Sequence, residues 1–191
     1  MVVVGSRQLG TLAGAVLGSV STAAAGAGTG IVVVVGSPPG LEGDRPDVVA
    51  GIDGSPVSQQ VLAFAFDEAS RRGRRLRVVY CWPKDTLAEM QWRVAPPAPE
   101  RAERWLAETL AGWQEKFPDV TVVRQVVREH PVDGLVRESA SQELLVVGAR
   151  ARRGRFASWL GSVSQGVLHH ATCPVAVVHP LETEEADLTQ D

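Results

Sequence analysis

The N-terminal segment of this chain repeats a segment near its C-terminus. When residues 1–36 are set against residues 144–179 without a gap, Gly5 falls on Gly148, and Gly18 falls on Gly161, 143 positions further along. The run Leu-Gly-Ser-Val-Ser at 17–21 recurs unchanged at 160–164, but nothing that resembles residues 52–80 precedes the first copy. The repeat therefore predicts the last part of one domain followed by a complete second domain.

The domain boundaries follow from this repeat and from local composition. Residues 1–36 are expected to form a partial repeat with two strands and the helix between them, and residues 47–180 the complete domain. Residues 37–46 begin with Ser-Pro-Pro-Gly and are expected to be a linker. Residues 181–191 are acidic without a periodic apolar face, which is typical of a disordered tail.

Composition excludes several classes of protein. Apolar residues make up 45% of the 191 residues, charged residues 21%, and the net charge is −3, which is ordinary for a globular chain and gives no field that would favour nucleic acid. The two cysteines, Cys81 and Cys173, form neither a disulfide framework nor a metal-spaced pair. A reducing, cytoplasmic setting is therefore expected.

The uncharged stretch at 8–40 imitates a secretion signal because it follows Arg7 and is apolar. It is rich in Gly and Ala, which makes it a weak membrane span. A removable targeting segment also has no reason to match a loop later in the same chain, so neither secretion nor a membrane partner is predicted.

Strand and helix patterns alternate along the chain. Short Val- and Leu-rich runs predict buried strands, and apolar residues at helical spacing predict the helices between them. The strands are expected at 2–4, 31–35, 47–52, 76–82, 120–127, 144–147 and 175–178, and the helices at 19–25, 58–73, 102–113, 131–141 and 161–171. The complete domain is thus predicted to be α/β: an open, doubly wound, mostly parallel five-stranded sheet with helices on both faces and ligands beyond the carboxyl ends of its strands.

One loop has the composition of an anion site. Gly148 and Gly161 bracket a strand-to-helix connection in which Ser162 is expected at the helix N-cap, where free N–H groups converge. The Gly-Lys-Ser/Thr of a Walker loop is missing, and a tight connection explains the spacing as well as a phosphate cradle does. The arginines in this loop (Arg150, Arg152, Arg153 and Arg155) fit either a solvated surface or contacts with a triphosphate.

Two further residues also have structural explanations. Asp53 lies before a glycine in a loop that follows a strand, where Asp commonly caps the next helix or forms an Asx-turn. Cys81 is expected to be a small apolar filler rather than a reactive thiol. The arginines at 71, 72, 74, 75 and 77 surround a helix end, where they would favour the helix dipole and need no ligand.

The chain resembles the universal stress protein family over residues 45–180 and again over residues 1–36. The resemblance rests on Val-Ala-Gly-Ile-Asp-Gly-Ser at 49–55, Leu-Arg-Val-Val-Tyr-Cys-Trp at 76–82, and the glycine-serine loop followed by His-Ala-Thr-Cys-Pro-Val at 170–175. It implies the adenine-nucleotide α-hydrolase-like fold and ATP binding. The ATP-binding pattern has a second glycine where this chain has Ala151; if that position needs positive φ, Ala weakens binding by about 1 kcal/mol.

The resemblance also implies a site and a role. Gly51, Ile52 and Asp53 would meet the adenosine, the backbone at Cys81 the adenine, and the loop the ribose and phosphates, with Mg²⁺ held mainly by the phosphates. The loop residues so implied are Gly148, Arg150, Ala151, Gly161, Ser162, Val163 and Ser164. No catalytic or metal-ligating residues are predicted, and the expected role is nucleotide-dependent binding or signalling in stress response. The alternatives are a nucleotide-free dimerisation module, with a lapsed site at Ala151, and a slow ATPase.

Assembly is the last implication of the resemblance. Members of the family usually pair through the last strand, as homodimers or as the two domains of a tandem chain. Here that strand consists of Val175, Ala176, Val177 and Val178, and its counterpart in the first copy consists of Ile31, Val32, Val33, Val34 and Val35. Because an unpaired Val-rich edge promotes aggregation, the counterpart strand is expected to cover the last strand within the chain.

Overall fold

The computed structural model describes residues 1–5, 19–27, 30–36, 47–81, 99–149 and 160–180. Its strands are β1 (Val2–Gly5), β2 (Ile31–Val35), β3 (Asp47–Gly51), β4 (Arg75–Cys81), β5 (Val122–Val127), β6 (Leu144–Gly148) and β7 (Val175–Val178). Its helices are α1 (Ser19–Ala27), α2 (Val57–Arg72), α3 (Pro99–Lys116), α4 (Pro131–Ser139) and α5 (Ser162–His170). The predicted linker at 37–46 and tail at 181–191 lie outside the described residues.

The strands form one α/β sheet in the order β1-β2-β7-β6-β3-β4-β5. Neighbouring strands are parallel except β2 and β7, which are antiparallel. This confirms the doubly wound, mostly parallel fold. The described sheet has seven strands: the five predicted for the complete domain, β3 to β7, together with β1 and β2, which join it because β2 pairs with β7.

Helices cover the sheet on both faces, which is why its central strands are apolar throughout. Successive residues of β3, such as Val48 and Val49, point to opposite faces and enter two different apolar clusters. Phe66 of α2 and Leu106 of α3 belong to the first cluster, and Leu168 of α5 to the second. Among the described residues, no helix has both the length and the apolar character needed to cross a membrane.

Some predicted bounds shift by one to three residues. Helix α2 begins at Val57 and is followed by Gly73, whose φ is 60°. Strand β5 begins at Val122 instead of residue 120, and helix α4 ends at Ser139 instead of residue 141. These changes leave the order of elements unaltered.

The N-terminal strand-helix-strand unit matches the C-terminal unit pair by pair. Val2 lies opposite Val32 in β1 and β2, and their counterparts 143 positions further along, Leu145 and Val175, lie opposite each other in β6 and β7. The Ser21 hydroxyl donates to the Gly5 carbonyl at 2.9 Å, and the Ser164 hydroxyl donates to the Gly148 carbonyl at 2.8 Å. Each unit therefore ties its helix to its first strand in the same way.

The antiparallel pairing of β2 with β7 is symmetric when each residue is compared with its counterpart 143 positions away. Val33 lies opposite Ala176, which is its own counterpart in the repeat, and Val32 lies opposite Val177, the counterpart of Val34. The pairing is thus related by a pseudo-two-fold axis through Val33 and Ala176. It is the intrachain covering of the last strand that the sequence predicted, and it leaves β7 paired on both edges.

The arginines around the end of α2 have a larger role than the predicted interaction with the helix dipole. Asp47, at the amino end of β3, is fully buried and accepts bonds from Arg75 at 2.7 Å and from Arg77 at 2.8 Å. Arg72 pairs with Glu68 and Glu143. Arg71 and Arg72 do lie in the last turn of α2, and the ion pairs of Arg72, Arg75 and Arg77 are additional contacts that the sequence did not predict.

Candidate functional site

The carboxyl ends of β3 and β6 border a crevice where the strand order changes direction. From β3 the chain passes to β4 on one side, whereas β6 is followed by β7 on the other side. Helix α2 follows β3 on one face of the sheet, and helix α5 follows β6 on the other face. Ligands of open α/β sheets bind at such a switch point, so this crevice is the candidate site.

The loop between β3 and α2 is organised by Asp53. Its Oδ1 accepts a bond from the Ser55 backbone N–H at 2.9 Å and another from the Ser58 hydroxyl at 3.2 Å. Ser58 is buried in the first turn of α2, so Asp53 links the loop to that helix. The bond from the Ser55 N–H is the Asx-turn that the sequence offered as one structural alternative, but Asp53 does not cap α2, because the N-cap of that helix is Pro56 and has no side-chain cap bond.

An aromatic pair stands beside this loop on the α3 side of the sheet. Tyr80 of β4 and Trp105 of α3 have ring centroids 5.0 Å apart, and a Cβ added to Gly54 would lie 3.3 Å from Trp105. Burial, assisted by the charges of Asp53 and Cys81, raises the pKa of the Tyr80 hydroxyl. The phenol is therefore neutral at ordinary pH and does not act as a base.

Ser55 carries a hydroxyl that the sequence analysis did not select. Its Oγ is buried and has no hydrogen-bond partner among the residues that the structure describes. An unpaired buried hydroxyl costs about 1–3 kcal/mol, so such an atom in a crevice suggests a partner that arrives with a ligand or water. The signal was present in the sequence as the serine two residues after Asp53, but only the fold shows its burial.

Two glycines of the predicted site are explained by close packing. A Cβ on Gly148 would lie 2.6 Å from Val57, at the start of α2. A Cβ on Gly51 would lie 2.7 Å from Leu135 of α4. These glycines let helices approach the carboxyl ends of β6 and β3, whether or not a ligand is bound.

Helix α5 begins at the crevice without a side-chain cap. Its N-cap is Gly161, with φ −63° and ψ 155°, and Ser162 is the exposed first residue of the helix, so the prediction of Ser162 at the N-cap was wrong. The glycine takes the cap position because the helix begins at Ser162 itself, one residue earlier than a cap at Ser162 would require. The hydroxyl of the buried Ser164 is used by the Gly148 carbonyl, which leaves backbone N–H groups as the donors of this turn.

Cys81 ends β4 on the α4 side of the sheet. Burial raises the pKa of its thiol to about 12, so the thiol is protonated at neutral pH. A Cβ on Gly134 would lie 2.8 Å from its Sγ, which shows how closely α4 packs on the sulfur. These contacts agree with the sequence interpretation of Cys81 as an apolar filler.

Most of the predicted site residues lie at the same sheet edge. Those that border the crevice are Gly51, Ile52, Asp53, Gly148, Gly161, Ser162, Val163 and Ser164, and Cys81 lies at the end of the adjacent strand β4. Arg150 and Ala151 lie outside the described residues. Tyr80 and Trp105 were missed, since no local pattern pairs a strand residue with one in a helix 25 positions later. Across the described parts of the chain, no group of three or more His, Cys, Asp or Glu side chains is arranged to hold a metal ion.

The fold is a doubly wound α/β sheet with a candidate ligand site at its switch point. Residues 45–179 match the model of the universal stress protein family, and the chain belongs to that family.

Two comparisons extend over nearly the whole chain. A universal stress protein of Mycobacterium tuberculosis is 46% identical over 179 residues, which is 93% of this chain and 61% of the relative. The chain thus spans about three fifths of the length of the curated relatives it matches. A functionally unknown protein of Pseudomonas aeruginosa has a similar structure, with a TM-score of 0.64, 15% identity, and coverage of 93% of this chain and 62% of that one.

A third comparison concerns the complete domain. A universal stress protein solved in complex with cAMP matches with a TM-score of 0.52 and 26% identity. The match covers 70% of this chain and 96% of the solved chain. Nearly the whole of that solved chain is therefore matched by part of this one.

Proposed function

We propose that this chain binds an adenine nucleotide, in the first place ATP with its Mg²⁺, in the crevice between β3 and β6. It then acts in stress response through nucleotide-dependent binding or signalling in the cytoplasm, and not primarily through turnover. The observation that carries the proposal is the start of α5 at the switch point of the sheet without a side-chain cap bond. The buried Ser55 hydroxyl, which has no partner among the described residues, lies in the loop after β3 at the same edge of the sheet. Family membership and the cAMP complex of a relative support the choice of an adenine nucleotide.

The phosphates fit the α5 end of the crevice. The N–H groups of Ser162 and Val163 stand at the positive end of the helix dipole, and no acidic residue lies in its first turn. In this proposal Gly148 and Gly161 let the chain approach the phosphates, Arg150 adds a positive charge, and Ala151 weakens the site. Ser164 contributes its N–H while its hydroxyl stays on Gly148.

The nucleoside fits the β3 and β4 end. Gly51, Ile52 and Asp53 would border the adenosine, and the backbone at Cys81 the adenine. The Asp53 carboxylate and the Ser55 hydroxyl would supply polar atoms suited to a ribose. Any Mg²⁺ would rest mainly on the phosphates.

Nucleotide content is the first experiment. The purified chain is denatured and the supernatant is analysed for adenine nucleotides, and the nucleotide-free chain is then titrated with Mg-ATP and with cAMP by calorimetry. Released nucleotide or saturable binding is expected. No nucleotide and no heat of binding would reject the proposal.

A charge placed at the start of α5 tests where the phosphates bind. Ser162→Asp adds a negative charge at a helix N-terminus, which favours the helix dipole and keeps the fold stable. It also repels phosphate, so at least a tenfold loss of ATP affinity is expected. The matched Ser162→Ala removes the hydroxyl without adding charge, and its loss should be smaller. Unchanged affinity in Ser162→Asp would place the phosphates elsewhere.

A nucleotide-free interaction module is the second candidate. It is favoured by the packing roles of Gly51 and Gly148 and by the internal bonds of Asp53 and Ser164, which all hold without a ligand. A slow ATPase is a third. Bound ATP that persists at stoichiometric level through a long incubation would exclude the ATPase, and failure of the binding experiment would favour the module.

We also propose that β2 takes the place that the last strand of a second subunit or domain would occupy on β7. The N-terminal unit would then be a partial copy of the family domain that serves for pairing. The equal registers of the two units and the pseudo-two-fold contact support this role. Self-association of two chains through Val175–Val178 stays a prediction for a chain whose β7 is not covered by β2.

A further inference from the structure

The turn between β3 and α2 has no room for a side chain at Gly54. This residue has a φ of 78°, a conformation that residues other than glycine rarely adopt. A Cβ on Gly54 would also lie 3.3 Å from Cζ2, 3.8 Å from Cη2 and 4.0 Å from Cε2 of Trp105. The six-membered ring of this indole therefore packs directly against the backbone of the turn, which is the segment that would border the nucleoside.

Trp105 reaches this turn from the first half of α3. Leu106 and Leu110 of the same helix are completely buried in the apolar core, whereas Trp105 is half-buried and packs at the margin of that cluster. The indole also packs on Tyr80 of β4, with ring centroids 5.0 Å apart. It thus connects the end of β4 to the turn that follows β3.

The turn also carries Asp53, and α2 fixes its other end. The charge of Asp53 contributes, after burial, to the raised pKa of the Tyr80 hydroxyl, so the carboxylate lies near the aromatic pair. Val57, the first residue of α2, packs against the end of β6, where a Cβ on Gly148 would lie 2.6 Å from its Cγ1. A shift of the turn would therefore change the distance between the β3 side and the β6 side of the crevice.

We propose that Trp105 is a positioning residue of the nucleotide site, whose indole holds the turn at 53–55 in the conformation that accepts the nucleoside part of ATP. The inference rests on the proposed binding of an adenine nucleotide. Trp105 acts through Gly54 without touching the ligand, and it raises affinity because the turn is already ordered when the ligand arrives. If Trp105 only filled the margin of the core, its replacement would lower stability and leave affinity unchanged.

The first experiment compares two tryptophans of α3 in the full chain. Trp105→Phe keeps an apolar ring but shortens the part that touches Gly54. Trp113, eight residues further along and about 12 Å away along the helix axis, is also half-buried and stacks on Phe66, so Trp113→Phe is the matched control. Calorimetry should show that ATP affinity falls about tenfold in Trp105→Phe and changes less than about twofold in Trp113→Phe. Urea denaturation should show similar losses of stability in both variants.

Substitution of Gly54 tests the other side of the contact. Gly54→Ala strains the positive φ and presses on Trp105, so it should also weaken ATP binding by about tenfold. Gly73, after α2, has a φ of 60° and open space around a Cβ, so Gly73→Ala adds backbone strain without touching the turn and should leave affinity unchanged. Because Trp105→Phe and Gly54→Ala displace the same turn, the double variant should lose less affinity than the product of the two single losses.

Three results would each assign Trp105 to the core alone and overturn the inference. They are unchanged ATP affinity in Trp105→Phe, equal losses of affinity in Trp105→Phe and Trp113→Phe, and a double variant whose loss equals or exceeds the product of the single losses. A parent chain that binds no adenine nucleotide would instead reject the proposed function, and this inference with it. The titration of the parent chain therefore distinguishes the two failures.

Discussion

At the scale of single residues, serines link the helices to the strands. The buried Ser164 hydroxyl donates to the Gly148 carbonyl, and Ser21 does the same for Gly5. Ser164→Ala should lower the free energy of unfolding by about 1–2 kcal/mol, because a buried carbonyl loses its side-chain donor. Urea denaturation measures the change. The exposed Ser162→Ala is the control and should change stability by less than about 0.5 kcal/mol; equal effects would contradict the structural role of Ser164.

Asp47 is the buried charge on which the amino edge of the sheet depends. Its carboxylate is fully buried and shared by Arg75 and Arg77. Asp47→Asn keeps the shape but removes the buried carboxylate that pairs with both arginines and leaves Arg77 with Glu138, so a loss of about 3 kcal/mol in the free energy of unfolding is expected. The control is Asp67→Asn, whose pair with Arg71 is exposed and should be worth less than about 1 kcal/mol. A loss no larger than in the control would show that the network stabilises little.

At the scale of elements, His179 lies where β7 ends beneath α1. Its backbone N–H donates to the Gly30 carbonyl at 2.8 Å, its side chain bonds to the backbone of Ala25, and its Nε2 is buried without a partner. Burial lowers the pKa of this imidazole below its usual 6.5 and outweighs the Ala25 bond. Elements α1, β2 and β7 carry no ionisable side chain that would compensate a charge there.

The sign of the resulting pH dependence follows from proton uptake. Because the native pKa is lower than the unfolded pKa, the unfolded chain binds more protons as pH falls below 6.5. His179 should therefore favour the folded state fully above pH 6.5 and lose this contribution as pH falls toward the native pKa. His179→Asn should flatten the stability curve in that range, and His170→Gln, at the exposed end of α5, should not. Identical curves for His179→Asn and the parent chain would exclude this source.

The sequence predicted elements better than contacts. Val-rich runs and helical spacing located the strands and helices, and the repeat indicated that β2 would cover β7, because both signals are local or depend on direct comparison of two segments. The partners of Asp47, the approach of Val57 to Gly148 and the contact of Trp105 with Tyr80 were not predicted. They join segments far apart in the chain, and no periodicity or motif encodes which side chains meet. The sequence left Asp53 between a structural role and ligand contact; its bonds to Ser55 and Ser58 show the Asx-turn, and ligand contact stays a prediction.

At the scale of the whole molecule, the symmetry of the β2–β7 contact predicts what happens when the N-terminal unit is removed. A chain that lacks residues 1–43 exposes β7, and a second β7 fits the same antiparallel register with Ala176 opposite Ala176, because Val33 is the counterpart of Ala176. The shortened chain should therefore run at twice its own mass in light scattering, while the intact chain, whose β7 edge is covered, should not dimerise through this strand.

Disulfide cross-linking between introduced cysteines distinguishes this strand register from other modes of dimerisation. Opposed residues of an antiparallel pair lie about 4.5–5.5 Å apart between Cα atoms, which is within disulfide range. Ala176→Cys in the shortened chain should form a disulfide-linked dimer. In the intact chain, Ala176→Cys alone should not cross-link between chains, because Val33 occupies that position, and Val33→Cys with Ala176→Cys should form the bond within one chain. A shortened chain that stays at single mass and does not cross-link would mean that β2 pairs with β7 without standing in for a subunit.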